Sequence, residues 1–130
     1  MNSRLYEAVP TQIKSLIKKV TVSSSIGNKS TETTDSQCYI YVPAAIEMSN
    51  ESKINKVPYT SELTNPYTIS YMINNETRKR AYADGDYAQY WLRSPNVEYA
   101  NYIYTVNSSG EMYGYVNAPE THGVLIELSF

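Results

Sequence analysis

Apolar residues in the first twenty positions recur at helical spacing. Leu5, Ala8 and Val9 form one cluster, and after Pro10 the residues Ile13, Leu16, Ile17 and Val20 return every three or four positions, the period of an amphipathic helix. Pro10 suits the first turn of a helix, where its missing N–H would have no partner in any case. The pattern predicts a short helix, a break at Pro10 and a helix over about 10–19, with Lys18 and Lys19 in its last turn complementing the dipole.

The helical period then stops. "VSSSIGNKSTETTDS" is a run dominated by Ser, Thr, Gly and Asn and predicts a long surface loop. In "QCYIYVPAAIEM" the residues Cys38, Ile40 and Val42 alternate with Tyr39 and Tyr41, the period of a strand. Pro43 ends that strand and opens a short helix carrying Ala45, Ile46 and Met48. From Ser49 to about Tyr87 the pattern predicts loops with one or two short elements. "ISYMI" fits a strand or a helical turn equally, and Arg78, Lys79 and Arg80 read as a solvated turn.

Alternation returns in "YAQYWLRSP", with Trp91 and Leu92 as core and Pro95 as the end. "NYIYTVN", a turn at "SSG" and "EMYGYVN" predict a β-hairpin, Gly110 supplying the positive φ of the turn. "GVLIELSF" alternates Val124, Ile126, Leu128 and Phe130 against Leu125, Glu127 and Ser129, a closing strand. Helices first, strands last and no βαβ rhythm make this an α+β domain with a mostly antiparallel sheet, and 130 residues suit a single domain, 1–130. The same chain would also serve as the C-terminal module of a longer protein.

Composition sharpens the picture in one place. Fourteen of the sixteen aromatic residues are Tyr, with Trp91 and Phe130 beside them. Charge is sparse at 18%, and the net charge of −2 offers no basic field for nucleic acid or anionic lipid. No run of apolar residues is long enough for membrane insertion, and no secretory signal pattern opens the chain. The single Cys38 excludes an internal disulfide and cannot form a Cys-rich metal site alone.

Candidate chemistry is thin. Asp84-Gly85-Asp86 could begin a calcium loop, but "YAQYWL" after it lacks the further oxygen ligands and distal Glu, so the stretch reads as a turn and no metal is expected. His122, the only histidine, has no nucleophile motif beside it and reads as structural or surface. No cofactor is indicated. "NKS", "NES", "NET" and "NSS" match the glycosylation sequon, which arises by chance in an Asn/Ser/Thr-rich chain.

The segment from Asn96 to Gly123 stands apart, with five Tyr and four Asn and neither Lys nor Arg. Strand alternation puts Tyr102 and Tyr104 on one face, opposite Ile103. It likewise puts Tyr113 and Tyr115 with Glu111 and Asn117, opposite Met112 and Val116. Half-buried sheet tyrosines would explain part of this. The joint enrichment of Tyr, Asn and Ser matches recognition loops better, where Tyr offers contact area at low rotamer cost and Asn and Ser adapt by hydrogen bonding. Expected contact residues are Asn96, Tyr99, Asn101, Tyr102, Tyr104, Asn107, Tyr113, Tyr115 and Asn117.

Three stretches together, "YIYVPAAIEM", "YWLRSP" and "GVLIELSF", resemble the strand-then-Pro-Ser-x-x-Glu segment, the Trp-Leu-Arg-Ser-Pro block and the Gly-Val-Arg-Pro-Ala-Leu close of bacterial and phage C-type-lectin-like domains. The opening "LYEAVPTQIKSLIKKVT" is similar to the helical start of that group. Some members resemble variable proteins of diversity-generating retroelements, in which mutated asparagine codons scatter Asn, Tyr and Ser over the C-terminal surface. The resemblance implies a C-type-lectin-like fold and a variable face between Pro95 and Gly123. It implies a non-enzymatic role in binding a protein or glycan on a cell surface, from a phage particle or bacterial exterior. Ala44 stands where the group often has Ser, and Leu125, Ile126 and Glu127 where it has Arg-Pro-Ala. Other functions fit the same composition, namely an enzyme acting on surface polysaccharide, with two converging carboxylates in a pocket, or a fibre or pilus subunit. The ligand and the oligomeric state are open.

Overall fold

Helix α1 (Asn2–Ala8) and the single turn α2 (Thr11–Lys14) lead the chain. The computed structural model describes residues 2–30, 32–48, 72 and 74–130. The second helix is shorter than its period predicts. By Lys18 the backbone is extended, and the Lys18 N–H donates to the Ser129 carbonyl at 2.7 Å. Tertiary pairing therefore takes over where a last helical turn was expected, and Lys18 and Lys19 lie outside the helix. The apolar positions that carried the helical pattern remain largely on the surface, Leu16 being 62% exposed, and only Ile17 is buried.

The polar run after Val20 is not a loop. It forms an antiparallel hairpin of β1 (Val20–Ser25) and β2 (Thr33–Cys38). β-branched Val and Thr favour extended backbone, and cross-strand pairs replace apolar packing: Ser23 to Asp35 at 2.6 Å and Gln37 to Thr21 at 2.5 Å. Gly27, Asn28 and Lys29 turn the hairpin with positive φ. Only Val22 of this pair of strands is fully buried, so hydrophobic alternation had no amplitude to report.

After a bend at Tyr39 come β3 (Ile40–Tyr41) and a 3₁₀ turn, Ala45–Met48, in the place where a short helix was expected after Pro43. The Tyr39 ring stacks on Tyr6 at 4.6 Å, with the Lys14 and Lys19 ammonium groups 5.4 and 5.8 Å from the two ring centres, which clips α1 to the strands. Within "ISYMI" only Met72 lies among the described residues, and it is buried. The expectation of loops over residues 49–71 also lies outside them.

Helix α3 (Asn75–Arg78) opens on Asn74, whose side chain accepts from the Thr77 N–H. Arg78 corrects the reading of a solvated basic turn. It is 7% exposed, and its guanidinium donates to the carbonyls of Gly110, Met48 and Met72. Lys79 is ion-paired with exposed Glu76 at 2.8 Å. Asp84 to Asp86 make a turn around Gly85 at φ 97°, with the Asp86 N–H bound to the Asp84 carboxylate.

The main sheet runs β6-β5-β4-β7, built from β4 (Tyr90–Pro95), β5 (Tyr102–Val106), β6 (Met112–Asn117) and β7 (Gly123–Val124). The predicted hairpin is β5–β6, with Gly110 at φ 83° in its turn. β7 pairs parallel with β4; the remaining strand pairs are antiparallel. The chain is thus α+β with mostly antiparallel sheets. The closing strand is broken: after β7 the chain crosses to a second sheet, where β8 (Glu127–Leu128) pairs with β3. Between them Leu125 packs on the core, while Val124, Ile126 and Phe130 are exposed.

The core gathers Ala45, Met48, Met72, Tyr90, Leu92, Tyr104 and Val106. Tyr90 and Leu92 face inward, whereas Trp91 is half-buried, so the strand turns a different pair inward from the one expected. The Tyr90 hydroxyl donates to the Arg78 carbonyl at 2.7 Å. Burial pushes this phenol up to about 12, against the pull of Arg80 and Arg78. Because that value lies above the ordinary 10.0, the stability it contributes is complete below the unfolded pKa and lost as pH rises through the folded one. The urea midpoint should fall between about pH 10 and pH 12, and Tyr90→Phe should flatten that fall; parallel curves for the two proteins would refute the assignment.

Candidate functional site

The expected contact face lies over the β5–β6 hairpin and the 96–101 loop, and one buried residue builds much of it. Asn96 is fully buried. Its N–H donates to the Tyr102 carbonyl at 2.9 Å and its Nδ2 to the Gly114 carbonyl at 2.6 Å. Its Oδ1 accepts from the N–H groups of Glu98 and Tyr99 at 2.8 and 3.1 Å. One amide thus folds the loop that carries Tyr99 and fastens it to β6. Asn96 is therefore a positioning residue and not a contact residue.

Tyr104 requires the same correction. It is 2% exposed and belongs to the core. Two features put it there. Ile103 pairs with Val116 but Thr105 with Tyr113, so β6 carries an extra residue and bulges opposite Tyr104. At the bulge sits Gly114, where an added Cβ would lie 2.6 Å from the Tyr104 Cζ. The ring occupies the space that a side chain at 114 would fill.

Four other tyrosines converge outside. Tyr99 lies 5.7 Å from Tyr102 and 6.1 Å from Tyr115, and Tyr115 lies 5.8 Å from Tyr102 and 5.7 Å from Tyr113, centroid to centroid. The rings are inclined by 56° to 69°, near the edge-to-face arrangement their quadrupoles favour. Tyr99, Tyr113 and Tyr115 are 46%, 51% and 37% exposed, and Tyr102 is half-buried among them. Exposed Asn101 and Asn117 join across the rim, Nδ2 to Oδ1 at 3.2 Å. The Asn107 side chain works within the hairpin turn: its Oδ1 accepts from the N–H groups of Ser109 and Glu111.

An ion pair ties β4, the neighbour of β5, to the 3₁₀ turn. Arg93 of "WLRSP" meets Glu47 of "PAAIEM" in a two-pronged pair, Nη1 to Oε2 at 2.6 Å and Nη2 to Oε1 at 2.8 Å. Arg93 Nη1 also donates to the Val42 carbonyl and Nε to the Ser23 carbonyl. Glu47 Oε2 accepts from the Ala44 N–H, and the Ser94 hydroxyl accepts from the Ala45 N–H. Ala44 has no hydroxyl to cap the 3₁₀ turn, and oxygens from Glu47 and Ser94 satisfy its first N–H groups instead.

His122 packs on the Trp91 ring at 4.9 Å with Nε2 3.2 Å from the Glu120 carboxylate. Among the described residues no group of three or more His, Cys, Asp or Glu side chains is arranged to hold a metal.

A family model described as a domain of unknown function, DUF6273, matches residues 1–124, from α1 through β7. The chain belongs to the DUF6273 family. No curated protein and no solved structure matches it. In this DUF6273 domain, reasoning from sequence missed the building roles of Asn96 and Gly114. The available signal was Gly114 itself, since an isolated glycine inside a strand pattern marks a bulge or a close approach.

Proposed function

We propose that this domain is a non-enzymatic binding module of C-type-lectin-like fold, similar to the variable proteins of diversity-generating retroelements. It would recognise a protein or glycan on a cell surface, from a phage particle or bacterial exterior. The observation that carries this reading is the cluster of Tyr99, Tyr102, Tyr113 and Tyr115, ring against ring, with Tyr99, Tyr113 and Tyr115 open to solvent. Clustered exposed aromatic surface is characteristic of interaction sites, and Tyr is enriched among the residues that dominate binding energy. Mutual packing limits the rotamer freedom that a ligand would otherwise have to freeze.

The scaffold supports the same reading. The residues that carry the resemblance to C-type-lectin-like domains, Pro43, Glu47, Arg93 and Ser94, are bonded to one another or to their neighbours, and none of them is a face tyrosine, so exposed side chains on that face can vary without touching these ties. Asn101 and Asn117, at exposed positions on the rim, are the kind of residue that adenine-directed mutagenesis would change.

Multivalent particles bearing the domain, applied to arrays of surface proteins and glycans, test the proposal, because many copies raise avidity without new contacts. Tyr99→Ala with Tyr113→Ala should abolish the array signals and leave the melting temperature within a few degrees. Undiminished signals from that variant would exclude the face as the binding site.

A further inference from the structure

We propose that the tyrosine face takes a cationic partner, a protein segment presenting Arg or Lys; this rests on the reading of that face as a binding surface. The argument is charge complementarity. All eleven Lys and Arg residues lie at or before Arg93, and the segment from Ser94 to Phe130 carries four Glu, no Lys or Arg, and the single His122, which sits against Glu120. Three of those glutamates, Glu98, Glu111 and Glu120, are exposed. Each lies on a connection bordering the face: Glu98 beside Tyr99 in the loop, Glu111 at the hairpin tip before β6, and Glu120 in the turn after Asn117. Exposed phenol rings edged by carboxylates suit a guanidinium, which stacks on aromatic faces and binds carboxylates two-pronged.

The chain already pairs tyrosine with ammonium elsewhere. Lys14, Lys19 and Lys79 lie 5.4, 5.8 and 5.5 Å from the ring centres of Tyr6, Tyr39 and Tyr87. The hairpin and its flanking loops contain no Lys or Arg of their own to do the same. A neutral glycan could donate hydroxyl hydrogen bonds to the glutamate border but would gain no charge attraction from it, and an acidic one would be repelled by it.

The probe is a fluorescently labelled hexa-arginine peptide, with hexaglutamate and a neutral hexasaccharide as comparisons, measured by anisotropy and located by amide chemical shifts. Hexa-arginine should bind alone of the three, with shifts centred on residues 96–117. Its affinity should fall about tenfold or more in Glu98→Gln/Glu111→Gln/Glu120→Gln and in Tyr99→Ala/Tyr113→Ala. It should also weaken several-fold as ionic strength rises from about 0.05 M to about 0.3 M. Hexa-arginine affinity unchanged by both variants, or shifts centred on Glu7, Glu32 and Asp35, would overturn the proposal. So would concentration-dependent self-association that the same substitutions abolish, since the partner would then be a second copy. If tyrosine-dependent array binding is to neutral or acidic ligands, the cationic inference fails while the binding face stands; if the tyrosine variant alters no binding at all, both fail.

Discussion

Replacing Tyr104 by Ala should destabilise the domain by about 3–5 kcal/mol, the cost of emptying an aromatic ring from a packed core. The ring is 2% exposed, in the cluster that also holds Met48, Met72, Tyr90, Leu92 and Val106. A total stability of about 5–15 kcal/mol is usual for a domain, so the variant should unfold at a markedly lower urea midpoint and melting temperature. The opposing change is Gly114→Ala, whose added Cβ would sit 2.6 Å from Cζ and 2.7 Å from Cε1 of the same ring. Overpacking of this kind costs about 1–3 kcal/mol, because the buried ring has no solvent to swing into. The two effects are not independent. With the ring gone, the alanine at 114 loses its three closest contacts, so the double variant should cost less than the sum of the singles. Such a coupling is measurable by denaturation of the four proteins of the cycle. Strict additivity would mean that Tyr104 does not fill the space over Gly114. A wild-type midpoint for Tyr104→Ala would return this residue to the surface.

The fate of Tyr104 also shows where sequence reasoning stops. Alternation along β5 placed it with Tyr102 and treated both as outward. Alternation is a property of one strand, whereas the burial of Tyr104 arises between two, from a register slip and a missing side chain on the neighbour. The same limit explains β1–β2. With Ser, Thr, Asp and Gln on its positions and one fully buried valine, the hairpin is held by cross-strand hydrogen bonds that leave no hydrophobic period. Arg78 looked solvated because charge normally is, but the carbonyl of nearby Met72 and the sequence-distant carbonyls of Met48 and Gly110 surround its guanidinium. Asn96 looked like a recognition residue because Asn is common in such loops, and the same hydrogen-bonding capacity serves the interior instead.

What could be read was local. The β5–β6 hairpin followed from two alternating runs joined at Gly110, the end of β4 from Pro95, and a short helical segment, which is a 3₁₀ turn, from Pro43. Of the nine expected contact positions, the six at Tyr99, Asn101, Tyr102, Tyr113, Tyr115 and Asn117 come together on one face. They do so because hairpin pairing and the Asn96 loop bring adjacent sequence into adjacent space. Contacts that bind sequence-distant residues, above all Arg93 to Glu47, were visible only as two short motifs with no stated connection.

Breaking the tie between those motifs should be the other severe lesion. The side chains of Arg93 and Glu47 are 10% and 5% exposed, so Glu47→Ala would leave a guanidinium buried without its counter-charge, at about 3–5 kcal/mol. It would also strip the Ala44 N–H of its acceptor. Arg93→Ala leaves the carboxylate stranded in turn and frees the Val42 and Ser23 carbonyls, loosening β1–β2 from the sheet. Arg93→Lys should fare little better, since a single ammonium cannot span both carboxylate oxygens and the two carbonyls together. Desolvation opposes much of the attraction between buried ions, so removing both is commonly milder than removing one. Arg93→Met with Glu47→Leu should therefore unfold at a higher urea concentration than either alanine variant. Singles that are no worse than this double would mean that the pair is solvated and that neither motif owes its residues to the other. The tyrosine face supplies the independent readout: in the double variant, which keeps the strands packed, ring contacts among Tyr99, Tyr102 and Tyr115 should persist in nuclear Overhauser spectra. In Arg93→Ala they should weaken, because β4 lies next to the strand that carries Tyr102.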